Sequence, residues 1–367
     1  MRGKKYGDNP QFIFEQLHNI YPDLKLMWLH NTSYKYDLPN YIESITYYSG
    51  IVGCLKRIYH LATAKVWINT HRFEAGIRKR KGQLFIETWH GGLGIKKIEG
   101  DLDDVRSSET SMMEINNTVS MADVFISQSD HLSNIYRRAF GYTGPIYKCG
   151  YPKNDILLSD NTEIRNDIHN KLFIAKGTKI CMYAPTFRKS CERLKTVDFR
   201  VYNIDFQLLH KVLTDSFGGN WIILLKWHPI MQKYIKDYKY DKDKVIDVTT
   251  FNDMQSLIMA TDVMISDYSS CIFDAGLRRI PCFTYATDFS EYKRNRGVYY
   301  EMEELPFPYA TTNEELVKNI KEFNDEIYQI KLDAFNERVG LFESGQAALD
   351  IARKIVDFIK GKEISWE

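Results

Sequence analysis

In four segments of the 367-residue chain, polar side chains that could serve in catalysis or ligand binding follow directly after short apolar runs. The first, residues 87–97, contains His90, then three glycines within residues 91–94, and ends in Lys96 and Lys97. Histidine is the side chain suited to general-base catalysis near neutral pH. Glycines allow backbone N–H groups to approach a ligand closely. We therefore predict that His90 is a general base; a turn with a structural histidine is the alternative.

The second and third segments carry cations suited to phosphate. Thr186 and Arg188 follow one apolar run through a proline-bearing turn, while Lys226 and His228 follow another run and precede a proline. The planar guanidinium donates two parallel hydrogen bonds, which matches the geometry of a phosphate group. A capped turn with a solvated arginine and a structural histidine explain the same residues without a ligand.

The fourth segment gives the strongest signal. In residues 265–274 the sequence predicts that a strand ends at Asp267 and that a helix begins at Ser269 and Ser270. A helix start offers N–H donors and a partial positive charge, and two hydroxyls beside it favour phosphate or pyrophosphate. Simple N-capping explains one serine but not the whole cluster.

These four segments depend on a regular alternation of strands and helices. Strand-like apolar runs are predicted at residues 24–29, 65–68, 84–87, 124–127, 180–183, 221–226, 263–266 and 281–285. Helical patterns lie between them, for example at 10–20, 205–216 and 251–260, and a last one covers 345–360. The alternation indicates α/β architecture with doubly wound parallel sheets, in which ligands bind beyond the carboxyl ends of the strands. We predict two Rossmann-like domains, residues 1–165 and 166–367.

Composition excludes several classes of protein. Hydrophobic residues make up 44% and charged residues 26%, which is ordinary for a globular protein. The net charge of +1 argues against a nucleic-acid-coating polycation, so no nucleic-acid partner is expected. Charge is nevertheless uneven, with +7 over residues 51–100 and −6 over 101–130. The basic run 78–81 is suited to an anionic lipid surface or a polyanionic acceptor, unless it is a solvated loop.

Several other features are predicted to be absent. The longest strongly apolar run, 221–225, is far shorter than the ~20 residues of a membrane span. Residues 1–9 lack the apolar stretch of a secretory signal. Six cysteines form no CxxC pair or zinc-spaced cluster, and the acidic run 101–104 is read as a solvated turn. We therefore expect a cytoplasmic protein that uses no metal and no cofactor.

Taken together, the segments resemble the CDP-glycerol:polyol-phosphate glycerophosphotransferase family, the primases and polymerases of teichoic acids and capsular polymers. The similar segments, in chain order, are residues 6–13, 88–91, 184–188, 228–229, 266–270 and 281–297. Two positions depart from the family pattern. Gly92-Leu93-Gly94 follows His-Gly where Thr-Pro is usual, and Glu343-Ser344 stands where the family often has Asp-Gly.

The resemblance implies a GT-B-type architecture, with two Rossmann-like domains facing a cleft and a C-terminal helix that crosses back. It implies transfer of glycerol phosphate, or another polyol phosphate, from a CDP-activated donor to a lipid-linked or polymeric hydroxyl acceptor, with release of CMP. Peripheral attachment to the inner face of the membrane would follow from such an acceptor. CDP-ribitol as donor and a nucleotide-sugar glycosyltransferase remain alternatives.

The resemblance also assigns roles to residues. His90 and His228 are the expected catalytic histidines, and the first domain is the expected acceptor side. Donor binding is expected at Thr186, Arg188, Lys226, Asp267, Ser269 and Ser270. Acceptor binding is expected at Gly91, Gly92, Lys96 and Lys97.

Overall fold

The computed structural model describes residues 6–30, 38–46, 50–160, 162–188, 197–235 and 238–366. The chain divides into two compact units. The first comprises Met1–Leu93, Ile98–Asp155 and Val339–Glu367, and the second comprises Gly94–Lys97 and Ile156–Arg338. The chain leaves the first unit after Asp155, where the sequence predicted a boundary at residue 165, and returns to it at Val339 to add the final helix.

The first unit contains two parallel sheets. Its strands are β1 (Leu26–His30), β2 (Ile42–Thr46), β3 (Val66–Asn69), β4 (Leu84–Glu87), β5 (Val124–Ser127) and β6 (Ile146–Lys148). One sheet has the order β3-β4-β5-β6, and β1 pairs with β2 in the other. Every residue of β4 and β5 is buried, which is typical of parallel strands covered on both faces.

The described part of the first unit also contains helices. They are α1 (Asp8–Ile20), α2 (Gly50–Thr63), α3 (Asp103–Arg106), α4 (Glu109–Met121), α5 (Asp130–Ala139) and the final helix α13 (Ala347–Ile359). Of these, α4 and α5 begin at serine caps. At the end of β5, the Ser129 side chain accepts a hydrogen bond from the Leu132 N–H and so starts α5. The apolar face of α13 packs against α1.

Carboxylates explain why the final helix belongs to the first unit. Asp155 accepts hydrogen bonds from the N–H groups of Ala347 and Ala348, at 3.0 and 2.7 Å, and so caps α13 from a distant part of the chain. Glu343 accepts from the Tyr151 N–H at 3.0 Å and from the Asn154 side chain at 2.7 Å. Glu343, one of the departures from the family pattern, therefore anchors the segment that leads into the helix.

The second unit is built on a six-stranded parallel sheet. Its strands are β7 (Lys179–Ala184), β8 (Trp221–Leu225), β9 (Val245–Asp247), β10 (Val263–Ser266), β11 (Cys282–Tyr285) and β12 (Tyr309–Ala310). The order β12-β11-β10-β7-β8-β9 is that of the doubly wound dinucleotide-binding sheet. The strand order reverses between β7 and β10, and the carboxyl ends of these two strands are where such sheets bind ligands.

Helices alternate with these strands as the sequence predicts. They are α6 (Thr162–Lys171), α7 (Phe206–Phe217), α8 (Met254–Ala260), α9 (Cys271–Leu277), α10 (Phe289–Arg296), α11 (Asn313–Lys321) and α12 (Asp325–Val339). Asp205 caps α7 and Asp253 caps α8. The core includes the fully buried Leu213, Ile223 and Phe283, which lie on α7, β8 and β11.

Candidate functional site

The turn after β4 places His90 at the carboxyl end of a buried strand. The Nδ1 atom of His90 lies 2.8 Å from the carbonyl oxygen of Thr70, which follows the neighbouring strand β3. A carbonyl oxygen only accepts hydrogen bonds, so Nδ1 carries the proton in the neutral ring. The other ring nitrogen, Nε2, then has the lone pair that a general base needs.

The backbone of this turn is held in a strained conformation. Trp89 has φ +52°, a left-handed value that is unusual for a bulky residue. The buried carboxyl group of Glu87 accepts the Trp89 N–H at 2.9 Å and the Asn69 side chain at 2.6 Å. Burial raises the pKa of Glu87 to about 8, against the lowering effect of these hydrogen bonds. Strain of this kind persists only where the surroundings fix it, and it is common at functional sites.

Asn9 is a second support for the turn, and its type and position alone predict no role for it. The side chain is fully buried, and its Nδ2 donates to the carbonyl oxygens of Thr88 and Trp89 at 3.3 and 3.1 Å. Its Oδ1 accepts the Lys153 N–H at 3.2 Å. The amino-terminal motif therefore positions the residues that precede His90.

Packing accounts for part of the glycine pattern after His90. A Cβ at Gly92 would lie 2.2 Å from Oε1 of the buried Gln128, so a larger residue there would require the Gln128 side chain to move. The carbonyl oxygen of Gly91 accepts the Tyr151 hydroxyl at 3.0 Å. Acceptor binding by Gly91 and Gly92 stays a prediction.

His71 is a neighbour of His90 that the sequence did not single out. The two imidazole rings stack with centroids 4.0 Å apart and planes 7° apart. His71 follows β3 and His90 follows β4, so the contact results from the parallel pairing of these two strands. Parallel pairing is the signal that could have found it, because it brings strand ends together.

In the second unit, Asp267 organises the carboxyl ends of β7 and β10. Its Oδ1 accepts the N–H groups of Thr186 and Tyr268, at 2.8 and 2.6 Å, and its Oδ2 accepts Nη1 of Arg188 at 2.8 Å. The Asp267 residue is only 2% exposed. The structure therefore places Thr186, Arg188 and Asp267 together at the point where the strand order reverses.

Arg188 is buried and heavily bonded within this network. Besides Asp267, it donates Nε and Nη2 to Asp288 at 2.7 and 2.9 Å, and Nη1 to the Thr186 carbonyl at 2.6 Å. Its guanidinium also lies 4.6 Å from the ring centroid of Tyr268 and 5.0 Å from that of Tyr292. Four of the five N–H donors of an arginine are thus directed at protein atoms. The two carboxylates outweigh burial and raise the pKa of Arg188 further.

Lys226 also has protein partners for its charge. Its ammonium donates to the carbonyl oxygens of Val248, Thr249 and Phe251, at 3.1, 3.0 and 2.5 Å. An ammonium has three N–H donors, and these three bonds use all of them. Lys226 therefore ties the loop after β9 to the end of β8.

Ser269 and Ser270 stand at the start of α9, as predicted. Ser269 Oγ accepts the Cys271 N–H at a long 3.5 Å, and the Ser270 side chain makes no capping hydrogen bond. Both serines are partly exposed. The Oγ1 atom of Thr186 is buried and has no hydrogen-bond partner among the described residues.

Lys96 and Lys97 belong to the second unit, although they follow the His90 turn closely in sequence. The Lys97 N–H donates to the Gly297 carbonyl at 3.2 Å, and Lys96 forms an antiparallel bridge with Val298. Burial lowers the pKa of Lys96, while nearby Asp267 acts in the opposite direction. The structure thus places Lys96 beside residues predicted to bind the donor.

His228 lies after β8 and stacks near Phe187, with ring centroids 6.0 Å apart. Its pKa is lowered to about 4 by partial desolvation and by the charges of Lys96 and Lys226. The ring is therefore neutral near pH 7. Because Nδ1 accepts the Ile230 N–H at 3.3 Å, the proton of the neutral ring resides on Nε2. His228 can therefore offer a hydrogen-bond donor there.

The acidic run 101–104 and the helices bear on metal binding and on membrane crossing. Among the described residues no group of three or more His, Cys, Asp or Glu has metal-site geometry, and Asp101 pairs with both Nε and Nη2 of Arg138. No described helix is long and apolar enough to cross a bilayer.

Comparison with known proteins identifies the family. A profile of the CDP-Glycerol:Poly(glycerophosphate) glycerophosphotransferase family matches residues 1–357. The chain belongs to this family. The resemblance seen in the sequence motifs is thereby confirmed.

This chain covers a different share of the length of each relative. It is 30% identical to the teichoic acid poly(glycerol phosphate) polymerase of Staphylococcus epidermidis, over 98% of this chain and 50% of that protein. It is 30% identical to the polymerase of the same description from Bacillus spizizenii, over 98% of this chain and 90% of that protein. The chain thus spans about half the length of the first relative and most of the second.

Solved structures of family members confirm the fold. The wall teichoic acid polymerase TagF superposes with a TM-score of 0.82 at 29% identity, over 99% of this chain and 89% of that chain. A histidine variant of TagF soaked with CDPG gives a TM-score of 0.81. The glycosyltransferase WaaG matches with a TM-score of 0.51 at 11% identity, which concerns the fold alone. The family member has the predicted α/β fold with parallel sheets and is GT-B-like.

Proposed function

We propose that the protein transfers glycerol phosphate from CDP-glycerol to a hydroxyl of a teichoic-acid-like or capsular polymer and releases CMP. The observation that carries the proposal is the geometry of His90. Its hydrogen bond to the Thr70 carbonyl fixes the tautomer that leaves Nε2 as proton acceptor. Family membership and a TagF structure soaked with CDPG support CDP-glycerol as the donor.

In the proposed reaction an oxygen of the acceptor hydroxyl attacks the β-phosphorus of CDP-glycerol. Nε2 of His90 takes the hydroxyl proton as the new P–O bond forms. The bond between the β-phosphorus and the bridging oxygen breaks, and CMP leaves with that oxygen and its electron pair. Base catalysis of this kind contributes about 10²–10⁴-fold, and the remainder comes from positioning and charge stabilisation.

Donor binding is proposed at the carboxyl ends of β7 and β10. Ser269 and Ser270 offer hydroxyls at the start of α9, and His228 offers Nε2–H to a phosphate oxygen. Lys96, which interacts electrostatically with Asp267 and His228, adds positive charge there. The groups are preorganised, so they stabilise developing charge without rearranging.

Arg188, Asp267 and Lys226 receive a different role in this proposal. Their hydrogen-bonding atoms are directed at neighbouring protein groups, so we assign them to positioning the loops that carry Thr186, His228 and the serines. Thr186, Gly91, Gly92 and Lys97 stay candidates for direct substrate contact.

The test follows the released nucleotide and the acceptor together. The full chain is incubated with CDP-glycerol, CDP-ribitol or a UDP-sugar and a soluble acceptor that ends in glycerol phosphate. We expect CMP release and acceptor extension with CDP-glycerol. His90→Asn should reduce turnover by about 10²–10⁴-fold with donor binding retained. His18→Asn, which removes another stacked histidine of the first unit, should keep wild-type turnover. Release of UDP, or near-normal turnover by His90→Asn, would refute the proposal.

Membrane contact at the inner face is proposed through α2. One face of this helix exposes large apolar side chains: Ile51, Val52, Leu55, Ile58 and Tyr59, which are 59–81% exposed. The spacing i, i+1, i+4, i+7, i+8 puts them on one side. The exposed bases Arg78, Arg80 and Lys81 belong to the same unit. An exposed apolar helix face and exposed basic residues in the same unit fit an anionic lipid surface.

Vesicle binding distinguishes this surface from other exposed apolar residues. We expect the wild-type protein to sediment with vesicles containing phosphatidylglycerol more than with phosphatidylcholine vesicles. Leu55→Gln combined with Ile58→Gln should abolish that sedimentation. Ile327→Gln combined with Ile330→Gln, at exposed positions of the second unit, is the matched control. Equal sedimentation of the two double variants would exclude α2 as the contact.

A further inference from the structure

A cavity of about 400 Å³ opens beside the proposed base, entirely within the first unit. Four of its lining residues come from the turns after β3 and β4, one from the turn before α3 and one from α4. The lining residues are His71, Arg72, Trp89, His90, Glu99 and Glu114. This volume is within the range of small-molecule sites. The proposed mechanism uses only His90 of this set.

The cavity is lined by two carboxylate groups. The carboxylates of Glu99 and Glu114 lie 3.3 and 3.9 Å from Nε of Arg72. A carboxylate accepts hydrogen bonds at two oxygens, and a hydroxyl group donates one, so hydroxyl groups complement this lining.

Backbone strain is concentrated at the same place. Five described residues other than glycine have positive φ, and two of them, Trp89 and Glu99, line this cavity. Their φ values are +52° and +45°. Such conformations persist only where the surrounding structure enforces them, and they cluster at ligand sites. The strain is a second observation, independent of the hydrogen-bonding groups, that singles out this cavity.

We infer that the cavity binds the terminal polyol of the acceptor, with neighbouring hydroxyls held by Glu99 and Glu114 while the attacking hydroxyl faces His90. This inference rests on the proposed function. Two carboxylates against one guanidinium give the lining an excess of negative charge, which repels phosphate. The ligand class is therefore an uncharged polyol end, and the phosphates of the acceptor lie outside the cavity.

The test separates acceptor binding from donor binding. Glu99→Gln and Glu114→Gln each replace a carboxylate by a neutral group of similar shape, and Glu109→Gln on the same helix α4 is the exposed control. We expect KM for the acceptor to rise about tenfold or more in both variants, with KM for CDP-glycerol within about twofold of wild type. The control should retain both constants.

A binding measurement without turnover tests the inference independently. Glycerophosphoglycerol, a soluble probe with terminal glycerol groups, is titrated into the wild-type protein and each variant, and binding is followed by ligand-observed NMR. We expect binding to the wild type and to Glu109→Gln, and at least tenfold weaker binding to Glu99→Gln and Glu114→Gln. Unchanged binding in both variants, or lowered thermal stability with unchanged acceptor KM, would assign the cluster a structural role and overturn the inference. Absence of transfer by a wild-type protein that binds the probe would refute the proposed function instead.

Discussion

Replacing Arg188 with methionine should destabilise the second unit strongly. The substitution removes the guanidinium that lies between Asp267 and Asp288, whose side chains are only 2% and 11% exposed. Both carboxylates would then remain in the interior without their cation. Breaking a buried ion pair on one side costs about 3–5 kcal/mol, most of which is the penalty of an uncompensated buried charge.

The expected loss is large enough for a simple denaturation experiment. At about 2–3 kcal/mol per M of urea, it lowers the unfolding midpoint by about 1–2.5 M. Arg200→Met is the matched control, because Arg200 makes a similar pair with Asp198 but its side chain is 90% exposed. We expect no measurable shift for that control, since solvent and salt screen exposed pairs.

A second substitution distinguishes positioning from direct donor contact. If Arg188 acts by neutralising carboxylates, adding Asp288→Asn to Arg188→Met removes one uncompensated charge and should recover part of the lost stability. Donor affinity of the double variant should recover in parallel. A midpoint for Arg188→Met equal to that of Arg200→Met would refute the reasoning, as would loss of donor affinity without any loss of stability.

Three other predictions concern individual residues of the two units. An NMR titration of the His228 ring should show it neutral down to about pH 4. Between about pH 6.5 and pH 4 the unfolded state then binds this proton and the folded state does not, so lowering the pH over this range decreases stability. Lys96→Met removes a nearby positive charge and should raise the pKa of His228. Lys226→Met should lower the urea midpoint by leaving three carbonyl oxygens without their donor, and an unchanged midpoint would contradict its positioning role. Asn9→Asp loses both Nδ2 donors, so it should slow turnover by displacing the turn before His90, and wild-type turnover would show that this support is dispensable.

The central strands could be predicted because their sequences are apolar throughout. The predicted ranges 84–87, 124–127 and 263–266 coincide with β4, β5 and β10, in which every residue is buried. The edge strands β6, β9 and β12 were not predicted, since two or three residues are too few to show a pattern. Their existence depends on pairing with a neighbouring strand.

Residue type at a strand end predicts candidates such as His90, but it does not predict the partners of the cations. Arg188 and Lys226 are residue types suited to phosphate. Their N–H groups instead bond to protein groups that lie up to 100 residues away in sequence, a carboxylate for Arg188 and a carbonyl oxygen for Lys226. Asn9, His71 and Glu99 were missed for the same reason, because their roles depend on elements that meet only in the folded chain. A sequence motif gives the candidate chemistry, while burial decides which groups are available for it.

The return of the chain to the first unit at Val339 has a consequence for biosynthesis. Because Asp155 caps a helix that begins at Ala347, the first unit lacks a packed layer until residues 347–359 have been made. Nearly all of the second unit, Ile156–Arg338, leaves the ribosome before that layer. Domains generally fold as units during synthesis. We therefore expect the second unit to complete its folding before the first unit does.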